Sequence, residues 1–155
     1  MAKRLAIIAS KGTLDMAYPP LILASTAAAL DMECGIFFTF YGLDIINKKK
    51  YANLKVAPIA NPAMPVSVPN IVGMLPGMTS MATKMMNGMI KKANVPSIPE
   101  FIDVCLESGV KMWPCQLTLD MMGIKPEDLI EGIDASVGAA HFIDYAADAD
   151  MSLFI

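Results

Sequence analysis

Apolar and polar positions along the chain fall into short apolar runs and longer periodic stretches. Residues 4–9 (Arg-Leu-Ala-Ile-Ile-Ala) are apolar after Arg4 and are closed by Ser10, Lys11 and Gly12. Such a run predicts a strand buried on both faces of a parallel sheet. Residues 14–30, rich in Ala and Leu, predict a helix. Pro19 and Pro20 are placed in or near its first turn, where a missing N–H matters least. The aromatic and β-branched run 34–40 predicts a second strand, ended by Tyr41-Gly42. From 78 to 92, Met78, Met81, Ala82, Met85, Met86, Met89 and Ile90 recur at three- and four-residue steps, so an amphipathic helix is expected. A further helix is expected over 97–108, with Ser97 and Glu100 as a capping box and Gly109 as its stop. A short strand at 110–114, a helix at 116–122 stopped by Gly123 and a turn of helix at 126–131 follow. The remaining expectations are a short strand near Ile133, a helix at 136–148 and a closing strand at 151–155.

Strands alternating with helices predict one α/β domain over 1–155. It has three layers around a mainly parallel sheet of about five strands, with right-handed crossovers. A Pro/Met-rich insertion spans about 56–92. Its first part, 56–77, carries Pro58, Pro62, Pro65, Pro69 and Pro76 and no charge. That spacing forbids a regular helix or central strand and predicts a lid or an interface segment.

Composition narrows the function. The 155 residues are 55% hydrophobic and 17% charged, which excludes disorder as the main state. The net charge is −3 and the only basic run is Lys48–Lys49–Lys50, so no nucleic-acid partner is expected. Leu14–Leu30, interrupted by Asp15 and two prolines, falls short of the roughly 20 apolar residues of a membrane span. One histidine excludes a multi-histidine metal site. The methionine stripe reads as packing or as an adaptable binding surface rather than as soft ligands for copper. A buried oligomer contact over 64–90 is the preferred reading. Three cysteines without a CxxC pair read as reduced thiols in a cytoplasmic chain. Leu5–Ala9 is too short for a signal-peptide core.

In an open α/β sheet, ligands bind outside the carboxyl ends of the strands. Cys115 stands there, directly after the strand 110–114 and before the helix 116–122. The N–H groups of Leu117 and Thr118 are able to point at its sulfur, and the helix dipole favours the thiolate. From position the thiol reads either as accessible and reactive or as a buried structural cysteine at a strand end. Lys11, Gly12, Asp15, Tyr41, Trp113, Gln116 and Thr118 are the candidates to line its pocket. The loop at Ser10-Lys11-Gly12 is neither G-x-G-x-x-G nor a P-loop, so no nucleotide cofactor is assigned. Cys105 shares an apolar helix face with Ile98, Phe101 and Ile102 and reads as core, while remaining the candidate second thiol. Cys34, at the other end of the sheet, reads as structural. His141, between apolar and aromatic neighbours, reads as a packing residue.

Four segments in order resemble the DsrE/DsrF-like sulfur-relay family, in its small stand-alone branch. They are Ser10-Lys11-Gly12-Thr13-Leu14-Asp15, Phe37-Phe38-Thr39-Phe40-Tyr41-Gly42-Leu43, Leu75-Pro76-Gly77-Met78 with the helix after it, and Cys115 with Asp120, Met122, Gly123 and Ile124. The resemblance implies a DsrE-like fold and homo- or hetero-oligomers. It implies that Cys115 is the catalytic cysteine, carrying sulfur as a persulfide or thiosulfonate. It also implies donor and acceptor thiol proteins, such as a TusA-like carrier or a rhodanese, and no cofactor. The alternative is a non-enzymatic protein- or membrane-interaction module built on the Met-rich segment 64–90.

Overall fold

A computed structural model describes residues 3–57 and 75–155. Strand β1 (Arg4–Ala9) leads into helix α1 (Leu14–Ala29) and returns through β2 (Glu33–Phe38). Two 3₁₀ segments, Phe40–Ile46 and Tyr51–Asn53, follow. Helices α2 (Met78–Lys92) and α3 (Ile98–Glu107) precede β3 (Lys111–Pro114) and α4 (Gln116–Met122). A 3₁₀ turn at Pro126–Asp128, α5 (Ala139–Ala147) and β4 (Met151–Phe154) complete the order. Of the expected lid or interface over 56–77, residues 58–74 lie outside the described residues, as do residues 64–74 of the expected oligomer contact over 64–90.

The four strands form one parallel sheet in the order β3-β2-β1-β4. Alternation along the strands divides the core in two. Leu5, Ile7, Ile36, Phe38 and Met112 join the large core with Leu21, Ile102 and Cys105. Ala6, Phe37 and Trp113 point the other way and join a smaller cluster with Cys115 and Phe142 of α5. Helices α1 and α3 thus lie on one face and α5 on the other, which gives the three layers.

The fifth strand expected near Ile133 is absent. Its segment instead follows the open edge of β3 irregularly. Asp134 N–H donates to the Met112 carbonyl at 3.1 Å, but the Met112 N–H is taken by the Asp134 carboxylate at 2.8 Å. A side chain stands where a strand would supply a carbonyl, and only Val137 forms a bridge, opposite Cys115. The prolines also differ from expectation. Pro19 and Pro20 lie inside α1, beyond its first turn, with Pro20 buried in the core. Helix α2 has no fully buried residue; Met86 and Ile90 rest on the core while Met81 stays 60% exposed. Thr83 on this helix accepts from Val56 N–H at 3.1 Å. Among the described residues no helix is long and apolar enough to cross a membrane.

Helix α3 starts with the expected capping box. Glu100 N–H donates to Ser97 Oγ, and Ser97 N–H donates to Glu100 Oε2 at 2.7 Å. The Ser97 hydroxyl, which donates to Glu100 Oε2 at 2.6 Å, and then the Ser97 N–H hold the Glu100 carboxyl below its ordinary pKa. Ser97→Ala is expected to lower stability by about 1 kcal/mol in urea unfolding. The contribution of Glu100 is present above the carboxylate's unfolded pKa and fades as pH falls through its depressed folded value. The Ser97→Ala deficit should therefore shrink in strong acid; a deficit that grows there would contradict the capping box.

Candidate functional site

The site is built where β3 meets α4. Pro114 fixes the backbone entering Cys115, which is the N-cap of α4 with φ −74° and ψ 115°. Cys115 N–H donates to the Phe38 carbonyl at 2.9 Å, extending the β2–β3 pairing by one step. Its carbonyl accepts from Leu119 N–H at 3.0 Å, closing the first helical turn. Cys115 thus sits at the carboxyl edge of the sheet, as its place after a strand requires.

The thiol departs from the accessible reading. Its side chain makes no capping hydrogen bond and is only 5% exposed. It lies in the smaller cluster with Ala6, Phe37, Trp113 and Phe142, flanked by Val137 and Ala146. The reason is α5, which lays Phe142 over this face. Phe142 stacks on Phe37 with centroids 4.9 Å apart and meets the edge of Trp113 at 6.5 Å. Trp113 in turn lies over Gly35, where a Cβ would come within 2.5 Å of the indole. Glycine is the residue that leaves the ring this space. Tyr145 closes the far side, 4.9 Å from Trp113, with the Arg4 guanidinium 4.6 Å above its ring. Burial raises the Tyr145 pKa, and among the described residues its buried hydroxyl meets no hydrogen-bond partner. His141 is exposed and touches the cluster only through the edge of Trp113, at 5.5 Å.

The other two cysteines belong to the opposite layer. Cys34, the second residue of β2, lies inside the large core, and burial, reinforced by Cys105, pushes its thiol up to about 12. Cys105 is fully buried in α3; its thiol donates to the Leu21 carbonyl at 3.7 Å and is pushed up by burial to about 11. The sheet separates Cys105 from Cys115, so the candidate second thiol is not brought to the first.

The remaining candidates take several positions. Lys11, Asp15 and Tyr41 are exposed. Gly12 packs so tightly on the loop after β2 that a Cβ would lie 2.1 Å from the Tyr41 carbonyl oxygen. Gln116 is exposed, donates to Asp120 at 2.7 Å and accepts from the Ser136 hydroxyl. Trp113 and Thr118 are buried, at 7% and 2% exposure. Two cavities, about 310 Å³ beside Leu129 and Asp134 and about 270 Å³ between Tyr18, Leu54 and Asn87, are lined by none of these candidates. Sequence reasoning missed Phe37 and Phe142 as the neighbours of Cys115. Alternation carried a signal for Phe37, which must face away from Ile36 and Phe38.

Fold and site together define a three-layer parallel α/β protein with a single cysteine at the carboxyl edge of its sheet. Residues 1–154 match the DsrE/DsrF/DrsH-like family, and the chain belongs to it. It is 46% identical over 159 aligned positions to the sulfur carrier protein DsrE2 of Allochromatium vinosum, covering 99% of this chain and 98% of that one. It is 32% identical to the Bacillus subtilis protein YrkE, covering 99% of this chain and 97% of YrkE. Among solved structures it is similar to MTH1491 of Methanobacterium thermoautotrophicum, a protein of unknown function. The TM-score is 0.55 at 14% identity, over 97% of this chain and 98% of that one. That likeness concerns the fold.

Proposed function

We propose that this protein is a sulfur carrier that takes sulfane sulfur onto Cys115 and passes it to the thiol of a partner protein. Family membership and the sulfur carrier named among its relatives support the class of activity. The observation that carries the residue assignment is the contrast among the three cysteines. Cys34 and Cys105 are core thiols held protonated by burial, at about 12 and 11. Cys115 alone sits at the carboxyl edge, on the first residue of a helical turn.

The chemistry needs no cofactor. Cys115 loses its proton to solvent, and the thiolate attacks the outer sulfur of a donor R–S–SH. A Cys115 S–S bond forms, the donor S–S bond breaks, and R–S⁻ leaves. With tetrathionate the thiolate attacks an inner sulfur; thiosulfate leaves and a thiosulfonate remains on Cys115. An acceptor thiolate then attacks the outer sulfur of the persulfide and releases the Cys115 thiolate. Access and thiolate fraction set both rates. Because Cys115 is 5% exposed, loading requires the aromatic cover from α5 to move aside. Donor and acceptor are thiol proteins, such as a TusA-like carrier or a rhodanese, and the working form is a homo-oligomer.

The test is intact-protein mass spectrometry after incubation with tetrathionate, thiosulfate or polysulfide. The expected result is a donor-derived adduct on wild type, released by reductant and absent from Cys115→Ser. Its mass separates persulfide from thiosulfonate. No adduct from any donor would overturn the reading and shift attention to an interaction module. The exposure of Met81 and Met89 on α2, 60% and 41%, is the observation that favours that second reading.

A further inference from the structure

The loop after β2 holds an unusual residue. Phe40 has φ +48°, in the left-handed region that a bulky side chain enters at a steric cost. Its ring is 52% exposed, so burial does not offset that cost. Glycine would adopt this conformation freely. A strained, solvent-facing aromatic is unexplained by stability, and such outliers persist only where surrounding structure holds them.

One buried hydroxyl bonds its backbone N–H. Thr118, in the first turn of α4, is 2% exposed. Its Oγ1 accepts from Phe40 N–H at 3.3 Å and shares a hydrogen bond with the Thr39 hydroxyl at 3.1 Å. Three residues before Thr118, Cys115 N–H donates to Phe38. The stretch 38–40 is therefore tied to both ends of the turn 115–118. One tie is backbone to backbone; the other runs through Thr118 Oγ1. The same stretch is locked from behind, because Thr39 N–H donates to the Ala9 carbonyl at 3.0 Å.

We infer that Thr118 is a positioning residue for Cys115: its hydroxyl holds Phe40 in the left-handed conformation and so fixes the cysteine-bearing turn against β2. This rests on the sulfur-carrier reading. Thr118 touches no reacting atom in this scheme. It acts by keeping the turn from shifting, and a displacement of about 1 Å at a reacting group can cost up to about a hundredfold in rate.

The test is the rate of polysulfide adduct formation on Cys115, followed by mass spectrometry on variants shown by thermal melts to be folded. Thr118→Val is expected to slow the reaction about tenfold, and Thr118→Ser to restore it to within about twofold. The decisive comparison is in the Phe40→Gly background. There the left-handed conformation carries no steric cost for Thr118 to hold against, so Thr118→Val should cost about twofold or less. The emission of Trp113, the only tryptophan and a member of the Cys115 cluster, should shift in Thr118→Val and not in Thr118→Ser. A wild-type rate in Thr118→Val, or equal slowing in both Phe40 backgrounds, would overturn the inference. If Thr118→Val fails to fold, Thr118→Ala, which also removes the hydroxyl, carries the same comparison with the same expected directions. Absence of any adduct on wild type would overturn the carrier reading and this inference together. Adduct on wild type with indifferent variants overturns only this one.

Discussion

Gly42→Ala is expected to remove a large share of the stability of the fold. A Cβ at position 42 would lie 2.0 Å from the Ala9 carbonyl oxygen and 2.7 Å from its carbon. These are backbone atoms at the end of β1. They are fixed by Thr39 N–H and by pairing with Phe38. Neither side can yield without opening the sheet at its carboxyl edge. Ordinary overpacking costs about 1–3 kcal/mol because side chains can shift. Here none is available to shift, so a cost above about 4 kcal/mol is expected. That is a large share of the roughly 5–15 kcal/mol that holds a domain folded. Urea unfolding measures it. Gly88→Ala, in α2 with open space around it, is the control and should gain up to about 1 kcal/mol. A Gly42→Ala midpoint equal to wild type would show that the loop after β2 is free to move.

Phe142→Ala is expected to move stability and thiol reactivity in opposite directions. Phe142 is 3% exposed and stacked on Phe37, so its loss should cost about 3–5 kcal/mol. The same loss removes the cover from Cys115, whose alkylation should speed up about tenfold or more, since access governs thiolate attack. Cys34 and Cys105, across the sheet, should stay slow in the same peptide map. Lower stability with an unchanged Cys115 rate would mean that α5 is not what shields the sulfur. Losing the cover is thus expected to speed Cys115, and losing the Thr118 tie to slow it.

The parts of this molecule legible in its sequence are those governed by local pattern. The apolar run 4–9, the aromatic run at 34–40 and the Ser97–Glu100 cap each declare their element through residues close in the chain. The position of Cys115 between a strand and a helix was legible for the same reason. Its burial was not. It depends on Phe142, 27 positions later by residue number, packing across a face whose cover no local pattern announces. The missing fifth strand has a similar origin. Near Ile133 the composition suits a strand, but Asp134 satisfies the edge of β3 with its carboxylate and ends the need for one. Phe40 is the hardest case, because a left-handed aromatic contradicts its own preference and is decided by a threonine in another element.

The strand order has a consequence for biosynthesis. β1 is an inner strand, yet one of its neighbours is β4, which follows β1, β2 and β3 in the chain. A nascent chain that has already joined β1 to β2 and β3 still presents Leu5 to Ile8 as an unpaired edge until Met151–Phe154 emerges. Unpaired edges invite pairing with other chains. A chain interrupted between β3 and β4 should therefore be an association-prone intermediate, and the sheet is complete only once β4 has been made.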